Sequence, residues 1–511
     1  FTVLFGEIAG LKLIALFILA AGFSSMYLML RRLCRYGRGP AAFGALAYGL
    51  SGWFVTRLYS GNVNELYYFL LPGIILSARS WAVDGKPAGL ALGAIALAAV
   101  GMDGKMTLFC LLLFLFLYFI AEGFARRAGG QAWDIKPSLR FAALGAFAFL
   151  IGAVKFAQVG ALFAEKGSLL MPHIDSHGAG YSSVFSFGFA DLARGALLPG
   201  TAERSVSLYI GIPGALLLSV PALACFRRNA VWLLLGAVFA VLWAGPSSPL
   251  DLFRVLWSFP FFNSISQPHK YFDFFLVFCA CAVMPCALEL PLRGLRRGPA
   301  AAVRSAAAAA ALLPLLIFTA PKAAAMFSAS RPPLPPGNVF FQVKLDPAAG
   351  NGGAQMYFNA AQNVGTLNWY GAIRLPAAAE PRYELSPGKG LLPNPAYKGE
   401  VYCAGTSPGP GASWDISANS VRLGEGWRAC GRVVINQNYA EGWSSEGGRV
   451  ENYGGLLSLR PGNPGPLRLS YRPRWFLAGL AVSVAALLAA AWLLLSGGRP
   501  LLPRLLRRPG I

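Results

Sequence analysis

The sequence predicts a polytopic α-helical membrane protein that carries a β-rich domain before its last helix. Of the 511 residues, 56% are hydrophobic and 13% are charged, whereas soluble domains carry roughly 25% charged residues. Apolar windows of membrane length recur along the chain. One long stretch near the carboxyl end instead alternates polar and apolar residues between Gly, Asn and Pro turns, which is the pattern of short strands.

Eleven apolar windows predict about eleven transmembrane helices. The fourth and the eighth window are shorter than the others, and every window contains few or no charges. They lie at about residues 8–30, 41–58, 66–83, 88–101, 106–122, 141–163, 208–226, 230–244, 271–290, 301–320 and 475–495.

The formal charge of +22 indicates orientation in the membrane rather than binding to nucleic acid. Basic residues cluster in alternate connections, near residues 31–38, 79–86, 126–140, 227–228, 293–304 and 499–508. By the positive-inside rule these connections are cytoplasmic. The outward-facing loops are then 59–65, 101–105, 164–207, 245–270 and 321–474. No nucleic-acid-binding motif accompanies the charge, so no nucleic-acid partner is expected.

Three regions follow from this topology. Residues 1–320 form a multi-helix transmembrane domain with long outer loops at 164–207 and 245–270. Residues 321–474 form an extracytoplasmic β-rich domain, in which Val339–Leu345 and Arg432–Asn436 alternate like strands. Residues 475–511 form the final transmembrane helix and a basic cytoplasmic tail.

The topology also predicts that the front end of the protein is missing. An odd number of helices that ends in the cytoplasm must start outside it. The chain begins at Phe1, with no initiator Met and no signal-peptide pattern. We therefore expect the complete chain to begin in the cytoplasm with one more helix, followed by an outer loop.

Two of the eight cysteines lie in the β-rich domain, at Cys403 and Cys430. A location outside the cytoplasm favours a disulfide between them, and the sequence alone leaves the pairing open. The other six lie in or beside apolar helices, where a thiol acts as a small hydrophobic group.

Polar residues in the short outer loops are the first candidates for a site. Glu65 follows two asparagines in one loop, and Asp103 and Lys105 occur in the next, within GMDGKM. Ionisable residues near membrane depth are functional candidates by default. The alternative is an ordinary solvated loop.

The stretch EKGSLLMPHIDSH is the second candidate. Glu165, His173, Asp175 and His177 offer metal-ligand side chains, and alternate residues of an extended segment share one face. Their spacing matches no standard zinc or two-metal pattern. We therefore predict polar substrate contacts here and no metal site.

The third candidate is SFPFFNSISQPHKYFDF, an aromatic approach to a helix. His269 and Lys270 lie at its start, with Asp273 one turn further on. A lysine just above the bilayer suits the phosphate of a lipid-linked substrate. The alternative is a lysine that only extends its ammonium group toward the interface. Neither a Walker A sequence nor a strand–GxGxxG–helix fingerprint occurs, so ATP-driven work is not expected.

The carboxyl-terminal pattern resembles a known family. The chain reads INQNYAEGW, then two strand-like segments, then SYRP and the last helix, with Tyr439, Gly442, Trp443, Tyr471 and Pro473 in order. This order resembles the ending of the YfhO family of bacterial membrane proteins, within the GT-C superfamily of lipid-linked-sugar glycosyltransferases. GTLNWYGAIRLP, SLYIGIPGALLL, ALFAEKGS and FPFFNSISQPHKYF extend the resemblance over nearly the whole chain. His269 and Lys270 replace the family's usual arginine, so the charge is kept and the guanidinium is lost.

The resemblance implies a GT-C-like fold in a bacterial cytoplasmic membrane. It also implies inverting transfer of a sugar from a polyprenyl-phosphate donor to a cell-envelope glycan acceptor. In some relatives a divalent metal ion assists this transfer. The catalytic carboxylate is expected in the first outer loop, upstream of Phe1, so its role is assigned to no residue here.

The same resemblance suggests roles for the candidates. Asp103, Lys105 and Glu165 would line the outer cavity, and His269 and Lys270 would meet the donor phosphate. Trp414, Tyr439 and Trp443 would contact the acceptor through their aromatic faces. The alternative is a place in the β-domain core, which is favoured more for Trp443 than for Trp414. Two other classes of function stay open. One is a transporter or flippase for lipid-linked glycans, which predicts broken helices and an internal repeat. The other is a non-catalytic membrane scaffold.

Overall fold

The computed structural model describes most of the helical chain and the later part of the β-rich region. The described residues are 7–59, 63–103, 105–128, 130, 136–166, 181, 184–198, 208–259, 262–290, 297–328, 341–344, 364–367, 379–380, 382–386, 390–417, 419–462 and 464–496. The chain divides into two compact units. The first combines Phe1–Ala153, Leu170–Arg331 and Val482–Ile511, and the second combines Val154–Leu169 and Pro332–Ala481.

Helices dominate the described chain. Short 3-10 helices at Val63–Leu70 and Met284–Glu289 adjoin two of them. The α-helices are α1 (Glu7–Arg32), α2 (Arg38–Gly49), α3 (Gly52–Tyr59), α4 (Leu71–Ala82), α5 (Pro87–Asp103), α6 (Lys105–Ala128), α7 (Lys136–Ile151), α8 (Ala153–Lys166), α9 (Phe189–Leu197), α10 (Gly211–Ala224), α11 (Phe226–Ala244), α12 (Leu252–Trp257), α13 (Pro268–Val283), α14 (Arg297–Ser328) and α15 (Arg474–Leu495).

Six of these helical segments are long and apolar enough to cross a bilayer, which confirms a multi-pass membrane protein in outline. They are α1, α6, α11, α13 with its 3-10 extension, α14 and α15. A seventh span results if α7 and the first residues of α8, which meet at 77°, are counted together. Every predicted window contains helix. The prediction of eleven crossings remains a prediction, because the four other windows are short or interrupted.

The window at 41–58 shows why hydropathy alone overestimates helix length. Its helix stops at Gly49 and restarts at Gly52, and the Ser51 hydroxyl between them donates to the Tyr48 carbonyl at 2.8 Å. Glycine lowers helix stability, and a serine hydroxyl competes for backbone partners. The break separates α2 from α3, and α3 carries Arg57.

Close helix packing in the first unit depends on small residues. A β-carbon on Gly44 of α2 would lie 2.5 Å from Pro285 Cγ and 3.0 Å from the Cys281 carbonyl oxygen. Gly44 therefore lets α2 approach α13 and its 3-10 extension.

Replacing Gly44 by alanine is expected to lower the free energy of unfolding by about 1–3 kcal/mol, the usual cost of overpacking. Thermal unfolding in detergent would measure the loss. Gly145→Ala is the matched control, because a β-carbon there meets no atom within 4 Å and alanine favours a helix more than glycine does. An equal loss at both positions would contradict a packing role for Gly44.

The described strands all lie in the second unit. They are β1 (Phe341–Lys344), β2 (Val364–Leu367), β3 (Tyr383–Ser386), β4 (Gly390–Pro393), β5 (Val401–Cys403), β6 (Trp414–Ser417), β7 (Ser420–Leu423), β8 (Val433–Asn438), β9 (Trp443–Ser445), β10 (Gly448–Tyr453), β11 (Leu456–Pro461) and β12 (Leu467–Tyr471). Strands β1 and β8 coincide with the two predicted strands, which confirms a β region before the final helix.

The later strands form two four-stranded antiparallel sheets around one apolar core. Their orders are β10-β11-β8-β5 and β6-β7-β12-β9. Val433, Ile435 and Leu459 of the first sheet and Val421 and Leu469 of the second are buried together. A disulfide joins Cys403 to Cys430, which confirms the predicted pair. Strands β1 to β4 form a separate sheet of order β2-β1-β3-β4, in which β1 is parallel to β2 and β3.

Four residues of the carboxyl-terminal motif contact one another where β12 leads into α15. Trp443 and Tyr471 are register partners, and their ring centroids are 5.2 Å apart. Gly442 has φ +107°, a conformation that suits glycine. A β-carbon there would lie 2.9 Å from Pro473 Cα. These residues therefore have a structural role at this junction.

Candidate functional site

A buried cluster of charged side chains lies between α3, the 3-10 helix Val63–Leu70 and the start of α13. Arg57 is at its centre. One of its terminal nitrogens, Nη2, donates to Asp273 Oδ2 at 2.6 Å and to the Lys270 carbonyl at 2.9 Å. Its Nε lies 3.0 Å from Glu65 Oε2, a close ionic contact that is not aligned as a hydrogen bond.

Local sequence spacing brings these groups together. Trp53 and Arg57 are four residues apart on α3, so they share one helical face. The Trp53 indole nitrogen donates to Asp273 Oδ1 at 2.8 Å, and the Arg57 guanidinium lies 5.7 Å from the Trp53 ring centroid. Both carboxylate oxygens of Asp273 are therefore engaged by α3.

The cluster is buried and electrically balanced. Arg57, Glu65 and Asp273 are at most 2% exposed. With Lys270 they make two cationic and two acidic side chains, so the formal charges of the cluster cancel. Ionised groups leave water at high cost and persist in a protein interior when they are paired. In a membrane protein such a cluster marks a candidate functional site.

Lys270 is the loosely held member of the cluster. Its ammonium nitrogen lies 3.6 Å from Glu65 Oε1, and its side chain is 27% exposed. The contacts of Arg57 with Glu65 and Asp273 are shorter, and those three side chains are buried. Lys270 can therefore turn toward an external anion while Glu65 remains paired with Arg57.

His269 lies apart from Lys270, although the two residues are adjacent in sequence. It is 1% exposed, among the rings of Phe185, Phe187 and Trp243, whose centroids lie 4.6 to 6.3 Å from its own. Neither ring nitrogen makes a hydrogen bond within the described chain. His269 therefore does not share the accessible position of Lys270.

An apolar cavity of about 500 Å³ lies between α9, α10, α11 and α13. Its described lining consists of aliphatic, aromatic and small side chains, with Ser219 as the one hydroxyl. From α13 it takes Val277 and Ala280, which follow Asp273 at helical spacings of four and seven residues. The cavity and the charge cluster thus lie along one stripe of the same helix.

The structure describes the other predicted site residues only in part. Asp103 ends α5, Lys105 begins α6 and Glu165 lies near the end of α8, but their side chains are outside the described set. His173 and Asp175 fall outside the described residues. Among the residues that are described, no three His, Cys, Asp or Glu side chains lie close enough to hold a metal ion.

The two tryptophans of the β domain differ in exposure. Trp414 is 40% exposed. Trp443 is half-buried, packs against the domain core and contacts Tyr471. The core alternative thus suits Trp443 better than Trp414, whose ring is exposed enough to make contacts.

Sequence reasoning named Glu65 and Lys270, which the structure brings together, and missed the groups between them. Arg57 was not among the candidates, and Asp273 was named only as a polar residue near a helix start. The available signal was opposite charge, because Arg57 is the one charged residue of the apolar window at 41–58 and Asp273 lies in the first turn of the window at 271–290. A single arginine and a single aspartate in separate membrane helices predict a buried pair.

No family model matches this chain, and neither the curated proteins nor the solved structures searched include a match.

Proposed function

We propose that this protein is a membrane glycosyltransferase of GT-C type. It would transfer a sugar from a polyprenyl-phosphate donor to a cell-envelope acceptor at the outer face of a bacterial cytoplasmic membrane. The observation that supports this best is the pairing of a partly exposed lysine with an apolar cavity further along the same helix. Together they suit a ligand with an anionic head and a long hydrocarbon tail.

Lys270 suits the anionic head. It lies in the first turn of α13, where the helix dipole also favours an anion. A phosphate oxygen would replace the long 3.6 Å contact to Glu65 with a shorter charge-assisted hydrogen bond. Arg57 would stay in place, because Asp273 and Glu65 hold it from two sides.

The cavity suits part of the hydrocarbon tail. Val277 and Ala280 lie seven and ten residues beyond Lys270, about 10 to 15 Å along the helix axis at 1.5 Å per residue. Ligand cavities commonly have volumes of about 300–1,000 Å³, and this one holds about 500 Å³. Its apolar lining would bind a prenyl chain through the hydrophobic effect.

The transfer needs a base and a stabilised leaving group. The acceptor oxygen bonds to the anomeric carbon as the bond from that carbon to the phosphate oxygen breaks, and the departing phosphate keeps the electron pair. Lys270 would stabilise that charge. Glu65 is unsuited to take the acceptor's proton, since both of its oxygens face cations. We assign the base to no described residue.

The number of membrane crossings and the side on which each loop lies are part of the same proposal. Eleven crossings would place the region 321–474 outside the cytoplasm, where Trp414 is exposed enough to contact a sugar ring of the acceptor. Asp103, Lys105 and Glu165 would face the same side at the ends of their helices.

Replacing Lys270 by methionine is expected to weaken binding of a polyprenyl monophosphate about tenfold or more, because one hydrogen bond between charged groups is lost. Binding of undecaprenyl phosphate would be measured on the full-length protein in nanodiscs of neutral lipid. Transfer of sugar would fall at least in proportion.

Two variants control this experiment. Lys270→Arg keeps the cation and is expected to retain most of the affinity. Lys322→Met removes an ammonium group from α14 and is expected to leave binding unchanged. Unchanged affinity in Lys270→Met, with the protein folded, would rule out the proposed role of Lys270.

A second candidate function is transport of a lipid-linked glycan. The interruption between α2 and α3 beside Arg57 favours it, because transporters often bind substrates at interrupted helices. Proteoliposomes that contain a labelled polyprenyl-phosphate sugar distinguish the two functions. Movement of the label between leaflets without transfer to an acceptor would support transport and contradict the glycosyltransferase.

A further inference from the structure

Three arginines surround one carboxylate on the outer surface of the sheet β10-β11-β8-β5. Glu451 Oε2 lies 2.9 Å from Arg460 Nε and 3.1 Å from Arg432 Nη2, and Glu451 Oε1 lies 3.8 Å from Arg449 Nε. We call these four residues the arginine cluster. Val450 and Leu459, register partners on the same two strands, point to the opposite side and pack in the domain core. The arginine cluster therefore faces away from the core.

The arginine cluster is out of electrostatic balance. Three guanidinium groups share one carboxylate, which leaves two positive charges uncompensated within it. Arg449 and Arg460 are also direct register partners on neighbouring antiparallel strands. Like charges in that position destabilise a sheet. An anion bound between them would offset this repulsion.

The three guanidinium groups have N–H donors that the contacts with Glu451 do not use. Each carries five N–H bonds, whereas the contacts to Glu451 engage one nitrogen per arginine. The side chains of Arg449 and Arg460 are 84% and 55% exposed. Their remaining donors are therefore open to a ligand from outside the domain.

An aromatic ring borders the arginine cluster. The Arg432 guanidinium lies 4.6 Å from the ring centroid of Tyr453, which is 41% exposed. Arg432 is itself only 23% exposed, and its Nε is buried without a hydrogen bond in the described chain. Contact with Glu451 and Tyr453 holds Arg432 in place, so the ring and the positive charge keep a fixed separation.

We propose that the arginine cluster and Tyr453 form a binding site for an anionic polysaccharide. Arg449 and Arg460 would bind a carboxylate or phosphate group through paired N–H donors, and the exposed face of Tyr453 would pack on a neighbouring sugar ring. We favour a polysaccharide over a membrane lipid, because the exposed aromatic face beside the cations suits a sugar ring. This site is independent of the donor site at Lys270.

Binding of an oligogalacturonate to the full-length protein in nanodiscs of neutral lipid tests the proposal. We expect measurable binding that weakens as salt is raised, since exposed charges are screened. A neutral dextran oligosaccharide of the same length should bind much more weakly. The double variant Arg449→Gln/Arg460→Gln should bind oligogalacturonate about tenfold less tightly or worse.

The chain offers a matched control on the opposite sheet. Arg422 and Arg468 are likewise register partners on β7 and β12, so Arg422→Gln/Arg468→Gln removes the same charge from the same domain. It should leave binding unchanged. Equal losses in the two double variants would show general attraction to a basic domain and overturn the proposal.

Two other results would also overturn it. One is the absence of oligogalacturonate binding by wild-type protein at low salt. The other is binding to anionic lipid vesicles that depends on Arg449 and Arg460, together with no binding of oligogalacturonate. That result would assign the arginine cluster to a membrane surface.

Tyr453→Leu provides a second measurement that leaves every charge in place. We expect it to weaken oligogalacturonate binding without changing the salt dependence.

Discussion

Replacing Arg57 by glutamine is expected to lower the free energy of unfolding of the helical unit by about 3–5 kcal/mol, the usual cost of breaking a buried ion pair from one side. Asp273 and Glu65 would then be buried with only Lys270 to balance two negative charges. Because native proteins are stable by only about 5–15 kcal/mol, much of the variant should fail to fold. The yield of monodisperse protein and thermal unfolding in detergent would measure this.

Two variants separate charge from geometry in the same cluster. Arg57→Lys keeps the positive charge but cannot reach Asp273 and Glu65 with separate nitrogens, so it should be destabilised less than Arg57→Gln. The triple variant Arg57→Gln/Glu65→Gln/Asp273→Asn removes the unpaired carboxylates and should recover part of the lost stability. Wild-type stability in Arg57→Gln would mean that the cluster does not hold these helices together.

Loss of the Cys403–Cys430 disulfide is expected to destabilise the β domain by about 3–4 kcal/mol, given the entropy of closing a loop of this size in the unfolded chain. The two cysteines are 27 residues apart and join β5 to the segment before β8. The double variant Cys403→Ser/Cys430→Ser in the full-length protein should show faster amide hydrogen exchange in β5 and β8 than the wild type does.

A reducing agent provides the control for the disulfide. Dithiothreitol should increase exchange in β5 and β8 of the wild-type protein and leave the double variant unchanged. The free cysteines of the helices, such as Cys110 and Cys281, are buried away from this domain's core. Equal exchange in wild type and variant would contradict a stabilising role for the disulfide.

The sequence predicted regular elements better than it predicted contacts between them. Each apolar window contains helix, because burial in lipid or against other helices requires the same apolar composition along a long segment. The interruption between Gly49 and Gly52 was missed, since one polar residue between two glycines barely changes the hydropathy of a window. The strands β1 and β8 were predicted from their alternation.

The candidate site could be predicted only in part, because some of its contacts depend on packing between distant segments. Glu65 and Lys270 were identified as polar groups near the ends of helices, which a single segment can reveal. The pairing of Arg57 with Asp273 depends on packing between helices that are 216 residues apart. No local pattern specifies that contact, although a positive charge in one apolar window and a negative charge in another point toward it.

That separation in sequence has a consequence for how the protein is made. Arg57 and Glu65 are only eight positions apart and can enter the membrane as a neutral pair, whereas Asp273 follows Arg57 by 216 residues. At synthesis rates of about 5–20 residues per second, roughly 10–40 seconds pass before Asp273 emerges. Asp273 then arrives with Lys270, a second neutral pair on one helical turn. Each step of insertion thus adds one positive and one negative charge. Arg57 and Glu65 remain in the bilayer without Asp273 until α13 has been synthesised and inserted.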